Sequence, residues 1–291
     1  MKQETVYVVE QPTSLLDFLL TRVRGQSRNS VKHMLSRGQV LVEGVPQTRF
    51  DLPLVSGQRV ILLPQAKGPA LPFPILYEDA GLIVIQKPAG LLSIGTEKEK
   101  HRTAYRILSD HLQSRDPRSR LWIVHRLDRD TSGVLLFAKD EGLKNALQDG
   151  WNDLVRERRY YAVVEGEDLP DSGVCRSRLI ENRQHRVYST KRDEGKEAVT
   201  RYRVMSRRRG YSLLDVALET GRKNQIRAHL SELGHPVAGD EKYGAGSDPM
   251  GRLALHAWQL SLTDPRTENP ISFTAAVPTE FQRMFPRAFP T

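Results

Sequence analysis

An α+β fold with a mixed or antiparallel sheet is predicted for most of this 291-residue chain, on three observations. Short apolar runs at 82–86, 121–125, 134–138, 160–165, 199–205, 212–218, 253–262 and 271–276 follow one another across turn residues. Strands that are not separated by regular helices argue against a doubly wound parallel sheet. After residue 74, helical spacing is found at 101–113, 141–155 and the stretch from Lys223 to Leu233, where Ile226, Leu230 and Leu233 recur at i, i+4 and i+7. Residues 64–74 hold four prolines and one glycine, which forbid a helix and disfavour a central strand. A linker is expected there, between a small module at 1–63 and a larger domain at 75–291.

Within the small module, Ser14 to Leu20 has apolar positions at helical spacing, with Ser14 and Asp17 arranged as a capping box. A second helical pattern follows Ser27: Val31, Met34 and Leu35 share a face, leaving Arg28, Lys32 and Arg37 elsewhere. Gly38 to Gly44 and Arg59 to Leu63 read as strands. Residues 14–63 carry seven Lys/Arg and three Asp/Glu, a local balance of +4. The same charges would also suit an ordinary solvated face.

Across the whole chain 44 Lys+Arg face 35 Asp+Glu, a net charge of +9, with a pI near 9.7. That balance favours a polyanionic partner. Cys175 is the only cysteine, so no intrachain disulfide can form and a reducing compartment fits; it reads as a half-buried structural residue. No signal-peptide pattern opens the chain and no run of about 18 apolar residues occurs, so a soluble, cytoplasmic protein is expected. No zinc-ligand spacing, Gly-rich phosphate loop or internal repeat stands out, which leaves no cofactor or metal to expect and speaks against a small-molecule enzyme built on a nucleotide fold. A monomer is expected.

The densest chemistry lies in His125-Arg126-Leu127-Asp128-Arg129-Asp130-Thr131-Ser132-Gly133, between two apolar runs. It places carboxylates beside fixed positive charge at the mouth of a sheet, where sites concentrate. On local grounds the same nine residues also read as a charged turn, with Gly133 supplying a permissive backbone. A second string, Glu219-Thr220-Gly221-Arg222-Lys223-Asn224-Gln225-Ile226-Arg227-Ala228-His229-Leu230, runs on to Gly239-Asp240 and Tyr243-Gly244. Tyr77 to Leu91, Arg158 to Gly166, Gly195 to Tyr202 and Leu253-x-Leu255-His256-Ala257 complete the order.

In these strings the chain resembles the RluA/RluD-type pseudouridine synthases over about residues 75 to 285. The resemblance implies a long, bent, mainly antiparallel sheet with a basic cleft across it. In the small module, Ser27-Arg28 and Gly38-x-Val40-x-Val42-x-Gly44 resemble the RNA-binding module named after the small-subunit ribosomal protein S-four.

The implied reaction breaks the bond from ribose to the uracil ring nitrogen, turns the base and rejoins it through ring carbon five, without external energy. It needs a nucleophile or electrostatic stabiliser, a proton acceptor and a pocket that retains the detached base. By the resemblance Asp128 is the nucleophile, and Asp130, in a variable slot, orders the turn. Arg227 is implied as the partner that keeps Asp128 ionised, with Arg222 as the alternative, since a guanidinium lowers a buried carboxyl's pKa. Arg126 matches the residue that fills the space left by a flipped-out uridine. Tyr160 matches the tyrosine packed on the base; a phenol near pKa 10 is a poor base, so stacking is expected, and Tyr161 is the alternative if the strand register differs by one. Lys87-Pro88 is expected to shape a turn beside the cleft, a phosphate contact being the second reading. Asn224 stands where many relatives carry His, and its amide can still donate and accept hydrogen bonds.

The reading is an RNA uridine isomerase without cofactor, with large-subunit ribosomal RNA as the expected partner and transfer RNA as the alternative. The rival from another class is a catalytically silent RNA-binding or ribosome-assembly factor. Arg126, Arg222, Arg28, Lys32 and Arg37 are the expected RNA contacts.

Overall fold

The computed structural model describes residues 4–23, 27–36, 38–63, 71–97, 99, 102–191 and 193–289. Arg37 and most of the proline-rich stretch, residues 64–70, lie outside them. The chain divides into two compact units, one comprising Met1–Leu71 with Asp110–Ser119 and the other Pro72–Ser109 with Arg120–Thr291.

The first unit contains β1 (Thr5–Val8), β2 (Thr13–Ser14), α1 (Leu15–Arg22), α2 (Arg28–Ser36), β3 (Val40–Val42), β4 (Val45–Pro46), β5 (Pro53–Leu54) and β6 (Arg59–Leu62). Its four-stranded sheet runs β1-β6-β3-β4, every pairing antiparallel. The Ser14 side chain accepts from the Asp17 N–H at 3.2 Å and caps α1, as the spacing predicts. Leu15, Leu19, Val31, Leu35, Val40 and Val60 are buried together, so the apolar faces of both helices close on the sheet.

The second unit contains β7 (Ile75–Glu78), β8 (Leu82–Lys87), the first half of α3 (Ala104–Arg115), β9 (Trp122–Ile123), β10 (Ser132–Ala138), α4 (Glu141–Asp149), α5 (Trp151–Leu154), β11 (Val155–Glu165), β12 (Ser172–Glu181), β13 (Val187–Thr190), β14 (Lys196–Arg208), β15 (Tyr211–Leu218), α6 (Gln225–Glu232), a 3-10 turn (Glu241–Tyr243), β16 (Leu255–Thr263), β17 (Pro270–Thr274) and α7 (Thr279–Met284). Eleven strands form one sheet, β13-β12-β14-β15-β11-β16-β10-β8-β7, with β17 on β16 and β9 on β10. Among the described residues of this sheet only β10 with β16 pairs in parallel, through Ser132↔His256 and Gly133↔Ala257. The fold is α+β with a mixed, mainly antiparallel sheet, as the runs predict.

Strand β10 is buried along its whole length, which explains its unbroken apolar run; β12, whose exposed and half-buried residues alternate, has no such run to mark it. The 141–155 helix is two helices, parted at Gly150. The 223–233 helix begins only at Gln225, because Asn224 sits in the left-handed region at φ 51°. Among the described residues no helix is long and apolar enough to cross a membrane.

Candidate active site

Between β9 and β10 the chain turns sharply, and four separate groups hold the turn. Ser93 Oγ accepts from the Leu127 N–H at 3.1 Å and donates to the Leu127 carbonyl at 2.7 Å. Lys87 is fully buried and donates to the carbonyls of Pro88, Leu91 and Arg129 at 2.9, 2.7 and 2.9 Å. Its three protons are thereby used on backbone, so it shapes the turn and the phosphate reading falls away. The Thr131 N–H donates to the Asp128 carbonyl at 3.2 Å, closing the turn through backbone. The Asp130 carboxylate instead accepts from Arg129 at 3.0 Å. Behind the turn, Arg252 Nη2 donates to Ser132 Oγ at 2.6 Å, and Ser132 Oγ lies 2.8 Å from His256 Nδ1.

Gly133 has φ 120°, and a Cβ there would stand 2.0 Å from the Ala257 carbonyl oxygen. The parallel pairing of β10 with β16 therefore brings the backbones too close for any side chain at this position.

The second string supplies the facing wall. Gln225 Oε1 accepts from Thr220 Oγ1 at 2.8 Å and from the Arg222 N–H at 3.0 Å, while its amide donates to the Val199 carbonyl at 3.0 Å and Thr200 Oγ1 at 2.9 Å. This fully bonded amide ties the loop before α6 to the end of β14 and β15. Arg227, on the first turn of α6, is bidentate to Asp240: Nε to Oδ2 at 2.6 Å and Nη2 to Oδ1 at 2.7 Å. Its guanidinium lies 4.9 Å from the Tyr243 ring centroid. Asn224 accepts from Arg227 Nη1 at 3.3 Å and donates to the Tyr243 hydroxyl at 3.2 Å. Asn224 thus bridges the arginine and the tyrosine. With one side clamped, Arg227 turns Nη1 toward Asp128 Oδ2 at 3.9 Å, an ion-pair distance rather than a hydrogen bond.

Asp128, Arg126, Arg158, Tyr160 and Arg227 line one cavity of about 530 Å³. Burial raises the Asp128 carboxyl above its ordinary value, against the pull of Arg227, Arg126, Lys223 and Lys87. Its side chain is still 23% exposed at the cavity. Burial pushes the Tyr160 phenol up to about 12, so the ring is neutral across the physiological range. Tyr161 faces the other side of β11, stacked on Trp258 with 5.1 Å between ring centroids. The register therefore brings Tyr160, and not Tyr161, to Asp128.

His125 and His256 are both held neutral by burial, pulled down to about 3 and about 4. His125 Nε2 accepts from the Leu136 N–H at 3.1 Å, and its ring lies 5.1 Å from that of Trp151. Cys175 is half-buried with its thiol pushed up to about 11 by burial, unsuited to nucleophilic work.

Arg126 is exposed at the cavity rim. Arg222 also lines the cavity, but it precedes α6 and its Nε donates to the Glu197 carbonyl at 2.9 Å, which corrects its expected place one helical turn before Arg227. Arg28 and Lys32 are exposed on α2 of the first unit, Lys32 4.5 Å from the Phe50 ring centroid. Arg37 lies outside the described residues. Sequence reasoning missed Ser93, Asp240, Tyr243, Arg158 and Arg252. Asp240 and Tyr243 were visible in the Gly-Asp and Tyr-Gly pairs after α6, but nothing local ties them to an arginine 13 and 16 positions earlier.

Residues 81–232 match the RNA pseudouridylate synthase family. The ribosomal large subunit pseudouridine synthase D of Nitrosomonas europaea is 38% identical over 220 residues, covering 72% of this chain and 64% of that protein, so the match spans just under two thirds of that relative. The uncharacterized RNA pseudouridine synthase YjbO of Bacillus subtilis is 31% identical over 255 residues, 88% of this chain and 86% of that one. The solved structure of human RNA pseudouridylate synthase domain containing 4 superposes with a TM-score of 0.60 at 26% identity, covering 74% of this chain and 92% of its own. The chain belongs to the RNA pseudouridylate synthase family. It is an isomerase of that class, acting on uridine in RNA.

Proposed function

We propose that this chain converts specific uridines of large-subunit ribosomal RNA to pseudouridine, with Asp128 as the nucleophile toward a flipped-out nucleotide. The observation that carries this reading is the placement of Asp128 3.9 Å from Arg227 in a cavity of about 530 Å³, within the usual range of about 300–1,000 Å³ for small-molecule sites. Arg227 favours the carboxylate form that attack requires, and its clamp to Asp240 holds it in place before substrate arrives. Arg126, exposed at the rim, enters the space the uridine leaves in the RNA stack. Tyr160 packs against the base; a phenol near 12 supports stacking over proton abstraction. The large-subunit target is supported by the relative in Nitrosomonas europaea.

Arg28 and Lys32 on α2 contact phosphate in this reading, and reversing both charges weakens RNA binding and flattens its salt dependence. The deciding experiment maps pseudouridine site by site in RNA from a strain lacking the gene. One or more large-subunit sites are lost, and they return with the wild-type chain but not with Asp128→Asn. Intact ribosomal sites with a loss in transfer RNA would overturn the target; restoration by Asp128→Asn would overturn the nucleophile.

A further inference from the structure

A second cavity, of about 360 Å³, borders the same turn. Asp128 and Thr131 line the first cavity, whereas Arg129 and Asp130 line the second, and Arg227 lines both. The turn is thus a partition one or two residues thick. We propose that this second cavity is a subsite for a phosphodiester of the RNA strand beside the target uridine. The proposal rests on the reading of the first cavity as the uridine pocket.

Charge is the first ground. Arg129, Arg227 and Arg252 line the cavity beside one lining carboxylate, Asp130; Arg227 is already paired with Asp240, so Arg129 and Arg252 are the cations left to meet a phosphate. Two of the arginines are fixed in advance. Arg227 is clamped by Asp240, and Arg252 donates to Ser132 Oγ at 2.6 Å, the Leu253 carbonyl at 3.1 Å and the Leu255 carbonyl at 3.2 Å. The third is free to exchange partners: the Arg129–Asp130 pair, 3.0 Å apart, leaves the arginine side chain 63% and the aspartate 38% exposed. Exposed pairs of this kind contribute little to stability, so a phosphate can take the guanidinium over.

Shape is the second ground. Gly90 and Gly251 stand in the wall, and no atom lies within 4 Å of where a Cβ would sit on either. Bare backbone there gives a nucleic-acid strand room for close approach. A phosphate seated across the turn would fix the register of the strand, leaving base recognition to the first cavity.

The test is binding of a short oligouridylate to the full chain at several salt concentrations. Arg129→Met is expected to bind about threefold to tenfold more weakly and to lower the slope of log K against log salt by about 0.7, the loss of one single-strand phosphate contact. Arg129→Lys keeps the charge and restores the slope. Arg118→Met removes a still more exposed arginine, 91% against 63% for Arg129, paired with Asp116 at 3.3 Å and lining neither cavity, and is expected to change the slope much less. Equal slopes for Arg129→Met and wild type, or an equal drop in Arg118→Met, would show that no such subsite exists. The readout is binding, so it stands apart from turnover. Activity in Asp128→Asn sinks the uridine pocket, while an unchanged slope in Arg129→Met sinks the subsite alone.

Discussion

Arg227 and Asp240 form a bidentate pair at 2.6 and 2.7 Å, with side-chain exposures of 11% and 1%. The arginine's remaining edge is left for Asp128 at 3.9 Å. Asp240 is therefore a positioning residue in the proposed mechanism. Asp240→Asn keeps the shape but removes the charge, and a partly buried guanidinium without its carboxylate typically costs about 3–5 kcal/mol. Turnover is expected to fall about tenfold or more, since the cation beside Asp128 loses its fixed place. Steady-state kinetics beside thermal unfolding checks both effects, and full activity would remove Asp240 from the mechanism.

Asp128→Asn is expected to abolish isomerisation and, at neutral pH, to raise the unfolding temperature. The carboxyl's folded pKa lies above its ordinary 3.8 because burial outweighs the neighbouring cations. A raised pKa means that the folded chain holds the proton more tightly than the unfolded one. The associated stability is therefore present at low pH and lost as pH rises from 3.8 through the raised value. The gap between variant and wild type should be widest at pH 7 and should close on acidification. Calorimetry from neutral to acid pH measures it; a wild type more stable than the variant at pH 7 contradicts the prediction.

Tyr160 gives a matching prediction at the alkaline end. Its phenol moves from 10 in the unfolded chain to about 12 in the fold, so the stability it carries is present below pH 10 and lost as pH rises toward 12. Tyr160→Phe should lose less stability than wild type across that interval. Denaturant unfolding between pH 10 and 12 decides, and parallel curves would mean that the phenol is not desolvated.

Lys87→Met should leave the Pro88, Leu91 and Arg129 carbonyls without their shared donor and release the Asp128 turn. Unsatisfied buried acceptors cost about 1–3 kcal/mol each, with partial relief if water enters. A loss of about 3 kcal/mol in denaturant unfolding and a fall in turnover are expected. Unchanged stability would show that these bonds are readily replaced.

Gly133→Ala tests the backbone contact behind the same turn. A methyl group 2.0 Å from the Ala257 oxygen must force β10 and β16 apart, and φ 120° adds strain for any L side chain. A destabilisation above about 4 kcal/mol, or failure to fold, is expected. A variant of near-native stability would mean that this close approach is not needed.

Residue order alone was enough for the class of fold, the reaction family and the two strings that line the cavity. That information is local: apolar runs mark strands, and Asp128, Arg227 and Tyr160 each sit in a short motif legible without partners. Strand β12 escapes such a reading because its half-exposed face breaks the apolar run, and the start of α6 does so because an asparagine tolerates the left-handed region without requiring it. Which of two adjacent tyrosines faces the cavity followed only from the folded chain, through the pairing of β11 with β15 and β16. Folding likewise paired Arg227 with Asp240 and Ser132 with His256, 124 positions away. It also gave the turn-shaping expected of Lys87 its partners, the carbonyls of Pro88, Leu91 and Arg129. One cause underlies all of these. A buried polar group takes whichever partner packing brings within about 3 Å, and packing is a property of the whole sheet rather than of any motif within it.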